Sequence, residues 1–167
     1  KNIKEIALAK SEIIQNIKEN GHLILNADDH FYNFHKKIAL KKNINILSFS
    51  IKNKSSTIYL NSIIKEKLKY KIYITIDKRS SYFYLNTCYE SDIKNLLASI
   101  AVVSIYKDID KINCNYFYNH KIPTGRGDIS KIKLFKKNFY LIDQSYNSNP
   151  LSLNSALKNF NMIKQKD

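Results

Sequence analysis

Glycine, proline, cysteine and arginine are all scarce here, and each scarcity narrows what the chain can be. The two cysteines, Cys88 and Cys114, lie far apart and form no Cys-x-x-Cys pair. That excludes a disulfide framework and a zinc ribbon, and leaves two ordinary thiols in a reduced, cytoplasmic compartment as the expectation. Long apolar runs are missing too. The longest, Leu96 to Tyr106, is about half of what spans a bilayer and is interrupted by Ser99 and Ser104, so no membrane span is expected. Nothing at the start resembles a signal peptide. The chain opens on Lys1, without methionine, inside a pattern that already reads as helix. A fragment of a longer protein is therefore expected.

Lysine, by contrast, is abundant, and the formal net charge is +14. Taken literally, such a charge points to nucleic acid or an anionic surface. The excess, however, is lysine spread along the whole length, accompanied by much asparagine, isoleucine and tyrosine. A coding bias toward those residues produces the same composition without any polyanion partner. No arginine-rich run, RNA-binding aromatic signature or zinc-finger spacing accompanies it. Hydrophobic residues make up 44% of the 167 residues and charged residues 25%, ordinary values for a folded domain able to bury a core.

Against this lysine background, Gly125-Arg126-Gly127 stands out. Two of the three glycines bracket one of only two arginines, the other being Arg79. A planar guanidinium can grip a phosphate or carboxylate through two parallel hydrogen bonds, which lysine cannot. Flanking glycines allow unusual backbone angles and close approach of a ligand. A plain surface turn with an incidental arginine would read the same way.

Periodicity sets out the elements. Residues 2–19 read as an amphipathic helix through Ile3, Ile6, Ala7, Ile13, Ile14 and Ile17, ended by Gly21. Lys10 lies one heptad after Ile3 and one before Ile17. It either snorkels to water from the stripe's edge or faces inward to do chemistry. Leu23–Leu25 reads as a short buried strand ending in the polar turn Asn26-Ala27-Asp28-Asp29. That turn starts a helix through Phe31, Phe34 and Ile38, and it also lies where α/β sheets collect ligands. Its two aspartates could help hold a cation or simply cap the helix. An apolar run, Ile44–Ile51, follows. Residues 57–87 alternate with a two-residue period, broken at 65–69 and 77–80, which predicts an antiparallel meander. Helices are predicted over Glu90–Tyr106 and Asp108–Asn119. A hairpin is predicted from Lys131–Phe135 and Phe139–Ile142 around Lys136-Lys137-Asn138, followed by a closing helix from about Leu151 to Ile163.

Lys10 within Ala9-Lys10-Ser11-Glu12-Ile13, the Leu25-Asn26-Ala27-Asp28-Asp29 turn and the Asn95-Leu96-Leu97-Ala98 helix come first in an ordered set. Gly125-Arg126-Gly127 and Leu141-Ile142-Asp143-Gln144-Ser145-Tyr146-Asn147-Ser148-Asn149-Pro150 complete it. In order and spacing the set resembles the central, ATP-binding domain of the Mur ligases, over essentially the whole chain. The Ser145–Pro150 stretch is most similar to the branch that adds D-alanyl-D-alanine to UDP-N-acetylmuramoyl-tripeptide in peptidoglycan synthesis. It argues against other branches and against folylpolyglutamate synthases.

The resemblance implies a three-layer α/β domain, with a mostly parallel core sheet plus a small antiparallel meander. Residues 1–160 would form a partial central domain lacking its phosphate-loop segment, and residues 161–167 would begin a connection to a C-terminal domain. It implies ATP and Mg2+ as cofactors, and an acyl phosphate that the incoming amine converts to an amide. Lys10 matches the lysine that takes up carbon dioxide to become a carbamate ligand for magnesium. Carbon dioxide reacts with a neutral amine, the form that burial favours. Arg126 matches the arginine on the terminal phosphates, and Asn95 an asparagine near the adenine. Asp143 and Gln144 match the ribose side. Tyr146, Asn147 and Asn149 match the handover toward the C-terminal domain.

Three positions depart from the family's Gly-x-His-Asn pattern, reading Tyr89, Ser91 and Asp92, and the ribose-side acid is the neutral Gln144. These changes put nucleotide affinity in doubt more than fold. No Gly-Lys-Thr or Gly-Lys-Ser phosphate loop occurs in these residues. Missing N- and C-terminal parts of the same protein are thus expected as partners. Without the former, a sheet edge and an apolar helix face should be exposed. Two other readings stay open. One is a basic nucleic-acid-binding module using the Tyr70–Tyr84 strip as a stacking platform; the other is an inactive remnant of a ligase.

Overall fold

The computed structural model describes residues 2–120, 123–146 and 149–164. The chain divides into two compact units, residues 1–119 and 120–167. The first contains α1 (Ile3–Gln15), β1 (His22–Asn26), α2 (Tyr32–Leu40), β2 (Asn45–Ser50), β3 (Ile58–Glu66), β4 (Lys69–Ile76), β5 (Arg79–Leu85) and α3 (Glu90–Ser104).

One sheet of order β1-β2-β3-β4-β5 organises this unit. β1 and β2 run parallel in full register from His22↔Asn45 to Asn26↔Phe49, while β2 meets β3 at only two residue pairs. From β3 onward the pairing is antiparallel. The expected antiparallel meander is present, and it continues the parallel strands into one mixed sheet.

The two-residue period of β4 explains its burial. Ile72, Ile74 and Ile76 are fully buried, and Phe83 and Leu85 of β5 join them. Against this face lies α3 through Ile93, Leu96, Leu97, Ile100 and Ala101, at three- and four-residue steps. Each such large side chain, once buried, contributes about 1.5–3 kcal/mol. A bulge between Leu60 and Ser62 interrupts β3. There the Asn61 side chain donates to the Thr75 hydroxyl at 2.8 Å. A smaller apolar cluster, Ile14, Ala39 and Ile44, ties α1 and α2 together.

Two helix boundaries differ from the sequence expectation. α1 starts on a capping box, with the Glu5 amide donating to Asn2 Oδ1 at 2.9 Å and the Asn2 amide donating to Glu5 Oε2 at 3.3 Å. It stops at Gln15, six residues before Gly21. Gly21 has another reason to be glycine: a Cβ there would meet Ile17 Cγ2 at 2.6 Å and the Lys18 carbonyl oxygen at 2.8 Å. The helix expected over Asp108–Asn119 shrinks to a single 3-10 turn, Ile109–Lys111. Asp108 accepts from the Asp110 amide, and Asn113 from the Asn115 amide. Such local side-chain acceptors offer the backbone an alternative to helix.

The second unit holds β6 (Asp128–Leu134) and β7 (Lys137–Asp143), an antiparallel pair, and α4 (Pro150–Lys164). The hairpin turns on Phe135-Lys136 rather than on residues 136–138, with both turn residues at positive φ. Asn149 precedes Pro150 and caps α4: its Oδ1 accepts from the Ser152 amide, and its own amide donates to Ser152 Oγ.

Candidate functional site

In the first unit, candidate chemistry gathers past the carboxyl ends of the parallel strands. After β1 the chain turns at Asn26, whose side chain accepts from the Asp28 amide at 3.0 Å. Asp29 accepts from the Phe31 amide at 2.7 Å within the turn before α2, whose N-cap residue is Phe31 and which has no side-chain cap hydrogen bond, so the capping expected of the aspartates is not seen. Asp28 does something the sequence did not show. Its carboxylate crosses to the end of β2, accepting from the Ser50 hydroxyl and from the Ile51 amide at 2.7 Å. Partial burial works against its charge. The Ser50, Ile51 and Lys52 hydrogen bonds and the Lys94 charge outweigh burial, and hold the carboxyl below its ordinary value. On α3, Glu90 pairs with Lys94 at 2.6 Å. The Lys94 hydrogen bond and charge, with Lys52 behind them, lower the Glu90 carboxyl too. Among the described residues no group of three or more His, Cys, Asp or Glu side chains could hold a metal ion.

The departures from the Gly-x-His-Asn pattern sit at the start of α3. Asp92 accepts from the Thr87 hydroxyl, and Tyr89 is the N-cap residue. Asn95 is exposed one turn into the helix. Tyr89 and Asp92 thus stand at the start of α3, where no Tyr89 side-chain hydrogen bond caps the helix.

Lys10 is exposed, in line with the first of its two readings, a lysine that reaches water from the edge of the stripe. α1 packs through Ala7, Ser11 and Ile14. At roughly 100° per residue, Lys10 stands about 60° around the helix from Ala7. It lies toward the flank that carries Ile6 (46% exposed) and Ile13 (67% exposed). Those two isoleucines, with Ile3, form the exposed apolar helix face anticipated above.

In the second unit the structure brings together four of the predicted residues: Arg126, Asp143, Gln144 and Tyr146. The Gly125 amide donates to Asp128 Oδ1 at 2.7 Å, and the Gly125 carbonyl accepts from the Tyr146 amide at 3.0 Å. The Gly127 amide donates to the Asp143 carbonyl at 2.6 Å. These bonds lay the glycine loop alongside residues 143–146. Both glycines are at positive φ, 78° and 99°. A Cβ on Gly125 would stand 3.0 Å from Tyr146 Cβ, and one on Gly127 would stand 2.7 Å from Gln144 Nε2. Backbone conformation favours glycine at both positions, and close packing against Tyr146 adds to it at Gly125. The Arg126 guanidinium lies over the Tyr146 ring, 4.4 Å from its centroid. Asp143 is held below its ordinary value by hydrogen bonds from the Ser145 side chain and amide. Asn147 lies outside the described residues.

The strip from Tyr70 to Tyr84 has lysines over its rings already. Lys69 Nζ is 3.4 Å from the Tyr84 ring centroid, and Lys71 Nζ is 4.1 Å from that of Tyr82 and 5.0 Å from that of Tyr73. Base stacking would have to displace them, and the nucleic-acid reading is not favoured. Among the described residues no helix is long and apolar enough to cross a membrane.

Comparison with known proteins identifies the family. Residues 1–103 match the family model described as Mur ligase middle domain. The UDP-N-acetylmuramoyl-tripeptide–D-alanyl-D-alanine ligase of Buchnera aphidicola subsp. Baizongia pistaciae is 29% identical over 161 residues, covering 95% of this chain and 33% of that relative. Its counterpart in Buchnera aphidicola subsp. Acyrthosiphon pisum is 31% identical over 162 residues, with coverages of 95% and 34%. The chain thus spans about a third of the length of the curated relatives it matches. Among solved structures, MurF from Acinetobacter baumannii superimposes with a TM-score of 0.72 at 23% identity, over 92% of this chain and 32% of that one. MurF ligase from Thermotoga maritima in complex with ADP does so with a TM-score of 0.71 at 18% identity, over 93% and 34%. At these identities the structural likeness speaks for the fold.

Proposed function

The chain belongs to the Mur ligase middle-domain family, and from that premise we propose that it is the nucleotide-handling part of an ATP-dependent amide ligase of peptidoglycan synthesis. The substrates proposed are UDP-N-acetylmuramoyl-tripeptide and D-alanyl-D-alanine, the pair named for both Buchnera relatives. The proposed setting is the cytoplasm. The observation that carries the reading is the glycine-bracketed Arg126 held against residues 143–146, in a chain whose family is known.

The reaction joins a carboxylate to an amine and converts ATP to ADP and phosphate. Its physical demand is stabilisation of phosphate charge by fixed donors. Arg126 meets that demand. Its guanidinium has a ring face behind it and, among the described residues, no carboxylate partner, so its N–H donors remain available to phosphate oxygens. Asp143, held below its ordinary value by Ser145, and Gln144 would accept from and donate to ribose hydroxyls. Asn95 is proposed to contact the adenine, and Tyr146 and Asn147 are proposed to belong to the nucleotide-binding residues. Lys10 is proposed to take up carbon dioxide and, as a carbamate, to be a ligand for magnesium. Bound magnesium would supply further positive charge to the phosphates. Residues 1–160 are proposed as part of the central domain, with residues 161–167 leading onward.

The test is phosphate release by the full-length protein with both substrates and magnesium-ATP present. Release requiring D-alanyl-D-alanine and lost in Arg126→Ala supports the proposal. Equal turnover with a different amino acid acceptor, or none with the pair, rejects it.

A further inference from the structure

Tyr146 and Arg126 are joined in a way that assigns Tyr146 a task. Five observations meet at the pair. The guanidinium carbon is 4.4 Å from the ring centroid. The Tyr146 amide is fixed to the Gly125 carbonyl at 3.0 Å. Gly125 packs closely on Tyr146, where a Cβ would stand 3.0 Å from Tyr146 Cβ. Tyr146 is 60% exposed, so its ring is not buried as core. Finally, Arg126 has no carboxylate partner among the described residues, while neighbouring Asp143 is occupied by Ser145.

An arginine can be held in place by a carboxylate or by an aromatic face. A carboxylate satisfies the donors and cancels the charge that an anion would use. A ring contacts the flat face of the guanidinium and leaves its in-plane N–H donors free. An unrestrained arginine would have to surrender rotamer freedom on binding. The stack removes part of that loss beforehand and keeps the full charge.

We propose that Tyr146 is a positioning residue: its ring pre-orients Arg126 for the terminal phosphates of the nucleotide. This inference rests on the reading of Arg126 as a phosphate ligand.

The experiment is a double-mutant cycle in the full-length protein, reading the magnesium-ATP dissociation constant, KM for each substrate and kcat. Tyr146→Leu should weaken magnesium-ATP binding about 2- to 5-fold, the range of an exposed cation–π contact. KM for D-alanyl-D-alanine should stay unmoved. Tyr146→Phe keeps the ring and should bind within about 2-fold of the parent. In an Arg126→Ala background, Tyr146→Leu should have no further effect.

If Arg126→Ala leaves nucleotide binding unchanged, the phosphate-ligand reading fails. If Arg126→Ala weakens binding while Tyr146→Leu does not, this inference alone fails. It fails equally if Tyr146→Phe is as weak as Tyr146→Leu, or if the leucine costs the same without the arginine. Tyr146→Gln serves in the same cycle should the leucine variant not fold.

Discussion

Asp28, in the turn after β1, accepts hydrogen bonds from both the side chain of Ser50 and the amide of Ile51 at the end of β2. The contact joins two parallel strands at the end where their following turns begin, and it involves a carboxylate kept ionised.

Removing that carboxylate should destabilise the first unit. Asp28→Ala should cost about 2 kcal/mol, the scale of hydrogen bonds to a charged group. The sign of the pH dependence follows from the lowered value. Its contribution is complete above the ordinary value of 3.8 and is lost as pH falls through the still lower folded value. Urea unfolding from pH 7 down to pH 3 should therefore show an acid-side loss in the parent that is smaller in Asp28→Asn. Parallel curves for the two proteins would refute it.

Leu97 is fully buried between α3 and the sheet. Truncation to alanine removes apolar burial and leaves a cavity, so Leu97→Ala should cost 2–5 kcal/mol, or about 3. Chemical denaturation gives the number directly. A loss below about 1 kcal/mol would mean that α3 does not pack as described.

The turn between β4 and β5 places Asp77 and Lys78 at φ 44° and 67°, where side chains are strained. Glycine suits that conformation in a two-residue hairpin. Lys78→Gly should raise stability by about 0.5–1 kcal/mol despite glycine's larger unfolded-state freedom. A thermal melt showing a lower Tm would contradict the assigned turn.

Gly125→Ala should have the opposite sign. It places a Cβ at positive φ, 3.1 Å from the Tyr146 amide nitrogen, and should cost about 1–2 kcal/mol. It should also raise KM for ATP, because the displaced backbone carries Tyr146 and Arg126. Unchanged nucleotide kinetics would separate the loop from the binding site.

The isolated 167 residues should show no ligase activity, since no Gly-Lys-Thr or Gly-Lys-Ser loop is present in them to cradle phosphates. A coupled ADP assay with both substrates checks this. Detectable turnover would place phosphate binding entirely within these residues.

The alternation of Ile72, Ile74 and Ile76, the three- and four-residue steps of α3, and the glycines around Arg126 were all readable along the chain. Each depends on neighbours a few residues apart, where backbone geometry alone decides which side chains share a face. Tertiary structure decided the rest. α1 has apolar residues on more of its circumference than one neighbour can cover. Packing with α2 chose Ala7, Ser11 and Ile14 and left Lys10 outside. The helix expected after Asp108 lost to local side-chain acceptors. Asp28 meets Ser50, and Arg126 meets Tyr146, across about twenty residues each. Local periodicity carries no information over such separations, because only the paths of the strands and turns bring those groups within reach.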